Sequence, residues 1–214
     1  MVLCRRGLYR FIAEKAVAVW LTGEAGVEID EKSLREKLLT AFEESDHLRR
    51  RERVDRVEWL LRCCNAPASM MGRTETLQLI EEARATFVDG YFVAALILAM
   101  AFVEHALVED LQIRGKVKRS PKFSEALRLA EEHRLFPPDW LKRAKRLSLR
   151  RNPYAHLQKD GNAHGLGQRI FDTQTHPRVI MESDAKDAIE LMYGFLTVTL
   201  REIDFEQFDC SNDQ

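Results

Sequence analysis

The fold depends most on residues 91–103, whose sequence is YFVAALILAMAFV. No residue in this stretch is charged, and apolar side chains cover every side of the helix that it predicts. A helix that is apolar all round must be buried all round, so we expect Tyr91–Ile113 to be the central helix of a bundle. The stretch is shorter than the ~20 apolar residues that a membrane-spanning helix needs. We therefore expect a core helix rather than a membrane span, and no membrane partner.

The composition bounds the class of the protein. The 214 residues are 45% hydrophobic and 31% charged, with 10 Gly and 6 Pro, which favours an all-α fold with a substantial core. A net charge of −1 excludes binding to polyanions through bulk charge, so any nucleic-acid surface must be local. The cysteines at positions 4, 63, 64 and 210 form no C-x2-C pair, and we expect a reduced, cytoplasmic protein.

Apolar periodicity and cap signals predict helices along the whole chain. Before a boundary at residues 65–69, they are expected at Arg5–Val19, Asp30–Glu44 and Asp46–Arg62. After it, we expect a helix capped by Thr74 or Thr76, the central helix, helices that begin at Ser120-Pro121 and at Pro137-Pro138, and a last helix capped by Ser183. Residues 159–177 are predicted to be a long loop. The chain is therefore expected to have an N-terminal helical extension over 1–66 and a helical bundle over 73–208.

Two of these helices carry apolar stripes that predict their buried faces. In the helix before the boundary, the side chains expected to face inward are Leu48, Val54, Val57, Leu60 and Leu61. In the last helix they are Ala185, Ile189, Met192, Leu196, Leu200 and Ile203.

A short motif, Arg151-Asn152-Pro153-Tyr154-Ala155-His156, carries the candidate chemistry. An arginine guanidinium holds a phosphate through two parallel hydrogen bonds, and a histidine can take up or release a proton near neutral pH. Pro153 lacks an N–H and disfavours helical geometry at Asn152, so the helix should end or kink near Arg151. Asn152 would then cap a new turn, and Arg151 and His156 would face one pocket. The alternative is an ordinary helix junction.

Basic residues surround the motif. Residues 140–159 contain no acidic side chain. Lys142, Arg146 and Arg150 recur every four residues and are predicted to line one helix face, with Arg143 beside them. Such a stripe suits an RNA phosphate backbone, and a solvated helix face is the ordinary alternative.

The region from about Arg73 to Phe205 resembles a HEPN domain, because Arg151 and His156 match the R-x4-6-H motif of that family at the end of a late helix. The resemblance implies an antiparallel helical bundle that forms a homodimer, with two motifs meeting in one cleft. It further implies a metal-independent endoribonuclease, without a cofactor, that cleaves single-stranded or loop RNA in a toxin–antitoxin or antiviral defence system. An antitoxin or another defence protein would be its partner. Arg151 would bind the scissile phosphate, His156 would move a proton, and Asn152 would orient the site.

Three further positions bear on this resemblance. Some HEPN families carry an acidic residue near the site on the central helix, where this chain has Glu104, which could position Arg151, polarise His156 or form an ordinary ion pair. Tyr154 could stack on an RNA base or pack against the protein. One HEPN toxin group has a tyrosine, modified by a partner nucleotidyltransferase, at the position of Gln158, so this form of silencing is not implied here.

Two other functions compete with the ribonuclease. The runner-up is a non-catalytic HEPN-like module that binds RNA or a protein partner. A third hypothesis is metal-dependent hydrolysis by His156, His164 and His176, although their spacings follow no standard ligand pattern. The sequence lacks the Gly-rich phosphate-binding loops that nucleotidyl transfer and kinase chemistry use.

Overall fold

Helices and short connections make up all of the described chain. The structure is a computed structural model that describes residues 31–63, 74–157 and 161–199, and these ranges contain no β-strand. The helices are α1 (Glu31–Cys63), α2 (Thr74–Val88), α3 (Phe92–Ile113), α4 (Phe123–Glu132), α5 (Pro138–Ala155), α6 (Leu166–Thr173) and α7 (Pro177–Thr199). The predicted all-α class is confirmed for the described residues.

The central helix is where the sequence placed it. α3 packs against α2, α4, α5 and α7. Its inner side chains are almost fully buried, and they include Leu96, Ala99, Met100, Leu107 and Leu111. Of the helices described, this 22-residue one is long and apolar enough to cross a membrane by length and composition. The core helix of a bundle passes the same test, and α3 occupies that core.

The first helix departs from the prediction. The chain divides into two compact units, Met1–Glu52 and Arg53–Gln214, and α1 continues from one into the other. Two helices separated near Ser45 were expected, but α1 is unbroken because nothing between its ends is glycine or proline. The predicted helix Arg5–Val19 and the predicted boundary at 65–69 lie outside the described residues.

The inward face predicted for this helix is mostly wrong. Leu60 is buried, whereas Val54, Val57 and Leu61 are exposed at 50%, 40% and 71%. Apolar spacing alone therefore gave the wrong side of the helix for most of this stripe. The side chain of Leu48 lies outside the described residues.

The last helix begins earlier than predicted, at Pro177, so Ser183 is an exposed residue within α7 rather than its cap. Its predicted inner face is confirmed at Ala185, Ile189, Met192 and Leu196. Leu200 and Ile203 lie outside the described residues.

α7 and the motif helix α5 approach closely at Gly194. A Cβ atom built at Gly194 would lie 2.9 Å from Cη2 of Trp140. One residue further on, the ring of Phe195 stacks on that of Phe136 with their centroids 4.5 Å apart. Glycine therefore lets α5 and its motif lie against the final helix.

The predicted loop before α7 contains a short helix. α6 lies between Gly165 and Gln174, and Gln174 ends it in the left-handed conformation with φ of 52°. Leu166 and Ile170 are one turn apart and half-buried, and Arg169 on the same helix reaches Asp184 of α7. A side-chain partner distant in sequence therefore stabilises a helix that the sequence alone did not indicate.

Candidate functional site

The motif lies in one continuous helix rather than around a break. α5 passes through Pro153 and ends at Ala155, so the predicted break near Arg151 and the capping role of Asn152 are wrong. Pro153 lies in the last turn, where its missing N–H removes one hydrogen bond and little helix remains to be disrupted. The N–H of His156 still donates to the carbonyl oxygen of Asn152 at 2.8 Å, and His156 then turns to extended backbone.

Arg151 is held against the central helix. Its Nη1 lies 3.4 Å from Oε2 of Glu104 on α3, and the two side chains are only 18% and 34% exposed. The Nε atom of Arg151 is buried without a hydrogen-bond partner among the described residues. Glu104 therefore lies where it can position Arg151, and it engages only one edge of the guanidinium.

Arg151 and Asn152 lie at one end of a groove between α4 and α5. The groove has a volume of about 760 Å³. Apolar side chains from both helices form part of its lining, namely Phe123, Leu127, Leu141 and Leu149. Lys142, Lys145 and Arg128 also line it, together with the single acidic residue Glu131 and the uncharged polar residues Ser124 and Ser148.

His156 takes a different position. It is exposed at the C-terminal end of α5, it is not among the residues that line the groove, and the neighbouring Leu157 is fully exposed. The structure thus brings Glu104 to Arg151, places Asn152 with Arg151 in the groove lining and leaves the histidine accessible one turn beyond Asn152.

The predicted basic stripe is divided between two faces of α5. Lys142 is 75% exposed and lies on the groove, with Asp139 3.7 Å away. Three arginines predicted to bind RNA turn instead toward acidic residues of α7. The pairs are Arg143 with Asp187 and Glu190, Arg146 with Asp187 at 2.9 Å, and Arg150 with Asp184 at 2.8 Å.

This pairing corrects the inference drawn from the local sequence. The absence of acids from residues 140–159 does not leave these arginines unpaired, because a helix some 40 residues later supplies the carboxylates. The signal was nevertheless present, since Asp184, Asp187 and Glu190 recur on α7 at a spacing that favours one face. Lys145, on the groove, was not among the predicted site residues.

Asp184 is the most buried of these acids. Its side chain is 1% exposed and accepts hydrogen bonds from Arg150 and from Arg169, whose Nη2 lies 2.9 Å away. One carboxylate therefore joins α5, α6 and α7 next to the motif.

Tyr154 packs against the hydrophobic core near this carboxylate, and its hydroxyl is buried without a partner among the described residues. Burial raises the pKa of Tyr154, the charge of Asp184 raises it further, and the charge of Arg169 opposes both effects. Of the two roles considered for Tyr154, this position favours packing over stacking on a base.

His164 and His176, the other two histidines of the metal hypothesis, make separate local contacts. The N–H of His164 donates to Oδ1 of Asn162, and Nδ1 of His176 accepts from the N–H of Arg178. In the ranges that the structure describes, no group of three or more His, Cys, Asp or Glu side chains is arranged to hold a metal ion.

Comparison of the chain with protein-family models, with curated proteins and with solved structures finds no match. What the site can do chemically therefore follows from its own residues.

Proposed function

We propose that the protein is a metal-independent endoribonuclease of the HEPN type. It cleaves single-stranded or loop RNA by attack of the ribose 2′-OH, acts as a cytoplasmic homodimer and works in a toxin–antitoxin or antiviral defence system. The observation that carries this proposal is the placement of Arg151, which Glu104 orients at the end of a groove with cationic side chains. His156 lies exposed on the same end of the helix.

Arg151 supplies the phosphate-binding group. A guanidinium has five N–H donors, and Glu104 lies against one edge of it at 3.4 Å, which leaves donors for a phosphate. The pairing fixes the side chain before substrate arrives, and prearranged donors stabilise the negative charge that develops on the phosphoryl oxygens in the transition state. Asn152, on the same groove, adds an uncharged hydrogen-bonding group beside the phosphate.

His156 carries the proton. The 2′-oxygen attacks phosphorus as it loses its proton, the bond to the 5′-oxygen breaks, and that leaving oxygen gains a proton. The products are a 2′,3′-cyclic phosphate and a 5′-hydroxyl, and this first step consumes no water.

The helix geometry supports a homodimer. α5 ends at Ala155 and His156 continues in extended backbone, so Arg151 lines the groove whereas His156 of the same chain does not. A two-fold axis beside the end of α5 would let the histidine of one subunit and the arginine of the other serve the same phosphate. Two-fold pairing is also the commonest oligomer symmetry.

Cleavage assays on purified variants test the proposal. Wild-type protein should cut single-stranded RNA in EDTA, leave 2′,3′-cyclic phosphate ends and spare DNA of the same sequence. His156→Ala should abolish cleavage but retain most RNA affinity, whereas Arg151→Ala should weaken both. Cleavage of DNA or strict dependence on metal would contradict the mechanism.

A non-catalytic module that binds RNA or a protein partner is the second candidate. It is favoured by the carboxylate partners of Arg143, Arg146 and Arg150 and by the position of His156 away from the groove lining. Equal, near-zero cleavage by wild type and His156→Ala across diverse RNAs would support this candidate.

A further inference from the structure

We propose that the groove between α4 and α5 is a subsite for single-stranded RNA, in which an unpaired nucleobase lies on the apolar side chains and the backbone phosphates contact Lys142 and Lys145. This inference rests on the proposed function and adds to it the path of the substrate. RNA would follow the α4-facing side of α5 toward Arg151, and the α7-facing side would take no part.

The first support is the difference in charge between the two sides of α5. On the α7 side, Arg143, Arg146 and Arg150 meet three carboxylates within hydrogen-bonding distance. On the groove side, Lys145 is exposed and makes no ion pair within the described residues, and Lys142 has only the long contact to Asp139. Cations without close partners can exchange bound counterions for phosphates, whereas paired arginines must first break their ion pairs.

The second support is the mixed lining of the groove. Leu149 is 39% exposed, and it lies beside Phe123, Leu127 and Leu141 in the same lining. Proteins that bind single strands combine aromatic side chains that stack on bases with cations along the backbone, and Phe123 is the aromatic side chain of this lining. An RNA duplex would hide its bases, so this lining suits an unpaired segment.

The third support is the size of the groove and the direction in which it leads. The residues of α5 that line the groove extend from Leu141 to Asn152, which is about 16 Å along a helix axis. The volume of about 760 Å³ lies within the range of pockets that hold small organic ligands. The groove also ends at Arg151, so a strand lying in it would bring its backbone to the phosphate-binding residue. Ser148, within the lining, can hydrogen-bond a base edge.

A matched pair of neighbouring cations tests the path of the phosphates. Lys145→Ala and Arg146→Ala remove the same charge from adjacent positions, but only Lys145 lines the groove. The probe is a fluorescent single-stranded oligonucleotide with 2′-O-methyl riboses, which 2′-OH attack cannot cleave. Lys145→Ala should weaken binding several-fold and lower the slope of log affinity against log salt by about 0.7, the value for one phosphate contact on a single strand. Arg146→Ala should leave the affinity within about twofold and the slope unchanged.

A second comparison tests the base. Leu149→Ser should weaken binding of the intact oligonucleotide several-fold and have little effect on one in which the bases are replaced by abasic sites. Circular dichroism melting checks that each variant is folded.

Equal effects of Lys145→Ala and Arg146→Ala, or no binding of the probe to wild type, would overturn the inference. Cleavage of unmodified RNA is measured separately, so the ribonuclease proposal can survive a failure of this subsite. Conversely, if binding depends on the groove but no RNA is cleaved, the subsite proposal stands and the ribonuclease proposal fails.

Discussion

Oε2 of Glu104 lies 3.4 Å from Nη1 of Arg151, and this contact joins the central helix to the helix that carries the motif. Both side chains are partly buried, so the pair is less screened than a fully exposed one. The orientation of Arg151 is therefore set by α3 as well as by its own helix.

Glu104→Gln should separate positioning from binding. The amide keeps the shape of the carboxylate but loses its charge, so Arg151 is held less firmly. If the protein is the proposed ribonuclease, kcat for RNA cleavage should fall on the order of 10- to 100-fold, because small misplacements of a catalytic group have effects of this size. Affinity for an uncleavable oligonucleotide should change little. Glu125→Gln, an exposed acid in the first turn of α4, is the control and should leave kcat unchanged. A KM effect alone would contradict the positioning role.

Asp184→Ala should destabilise the bundle strongly. It leaves Arg150 and Arg169 without their shared carboxylate, and removal of one partner from a buried ion pair costs about 3–5 kcal/mol. Asp187→Ala is the comparison, because Asp187 also bonds two arginines but its side chain is 17% exposed against 1% for Asp184. Urea unfolding should give a clearly smaller loss for Asp187→Ala. Equal losses would show that burial of Asp184 is not what gives its ion pairs their strength.

Tyr154 should make stability fall at high pH. Its pKa is raised above the ordinary value of 10.0, mainly by burial and then by Asp184. The folded protein therefore holds this proton more tightly than the unfolded chain does. The resulting stability is fully present below about pH 10 and is lost as pH rises through the folded-state pKa. Tyr154→Phe should lose less stability than wild type across this range.

At neutral pH, Tyr154→Phe should be neutral or slightly stabilising, because it removes a buried hydroxyl that has no partner among the described residues. Urea unfolding at several pH values measures both effects. A steeper loss of stability in Tyr154→Phe than in wild type would contradict the assignment.

Gly194→Ala should destabilise the contact between α5 and α7. The added Cβ would lie 2.9 Å from the Trp140 ring, and overpacking of this kind costs about 1–3 kcal/mol. Better helix propensity returns up to about 1 kcal/mol of this loss. Gly167→Ala in α6 meets nothing within 4 Å and should cause no loss. Combining Gly194→Ala with Trp140→Phe should cost less than the sum of the two single changes if the clash is the cause.

Periodicity and caps predicted those parts of the fold that depend on nearby residues. The uncharged stretch at 91–103 gave the central helix, α2 begins at Thr74, one of its two candidate caps, and Pro138 opens the motif helix. The errors arise where local signals compete or tertiary partners decide. Pro153 was expected to stop a helix that continues for two more residues, and Ser183 was expected to begin a helix that already extends from Pro177.

The same division applies to the candidate site. The motif named Arg151, the HEPN resemblance suggested Glu104, and the fold places the two in contact although they lie 47 residues apart. The sequence could not distinguish the cations of α5 that face the groove from those that form ion pairs. The spacing of basic residues predicts which helix face they share, but not which element packs against that face. Arg146 and Arg150 form ion pairs with acids of α7, whereas Lys142 and Lys145 line the groove between α4 and α5.

α6 has no fully buried residue, and Arg169 bonds it to Asp184 next to the motif. Segments with few buried apolar contacts open at a lower free energy than the core, as separate cooperative units. We therefore expect the backbone amides of α6 to exchange with deuterium in an opening that leaves α3 protected. Each such opening would release Arg169 and leave Arg150 as the remaining partner of Asp184, so the last turn of α5 would be held differently while α6 is open. Exchange rates at the motif should then follow those of α6 more closely than those of the bundle core.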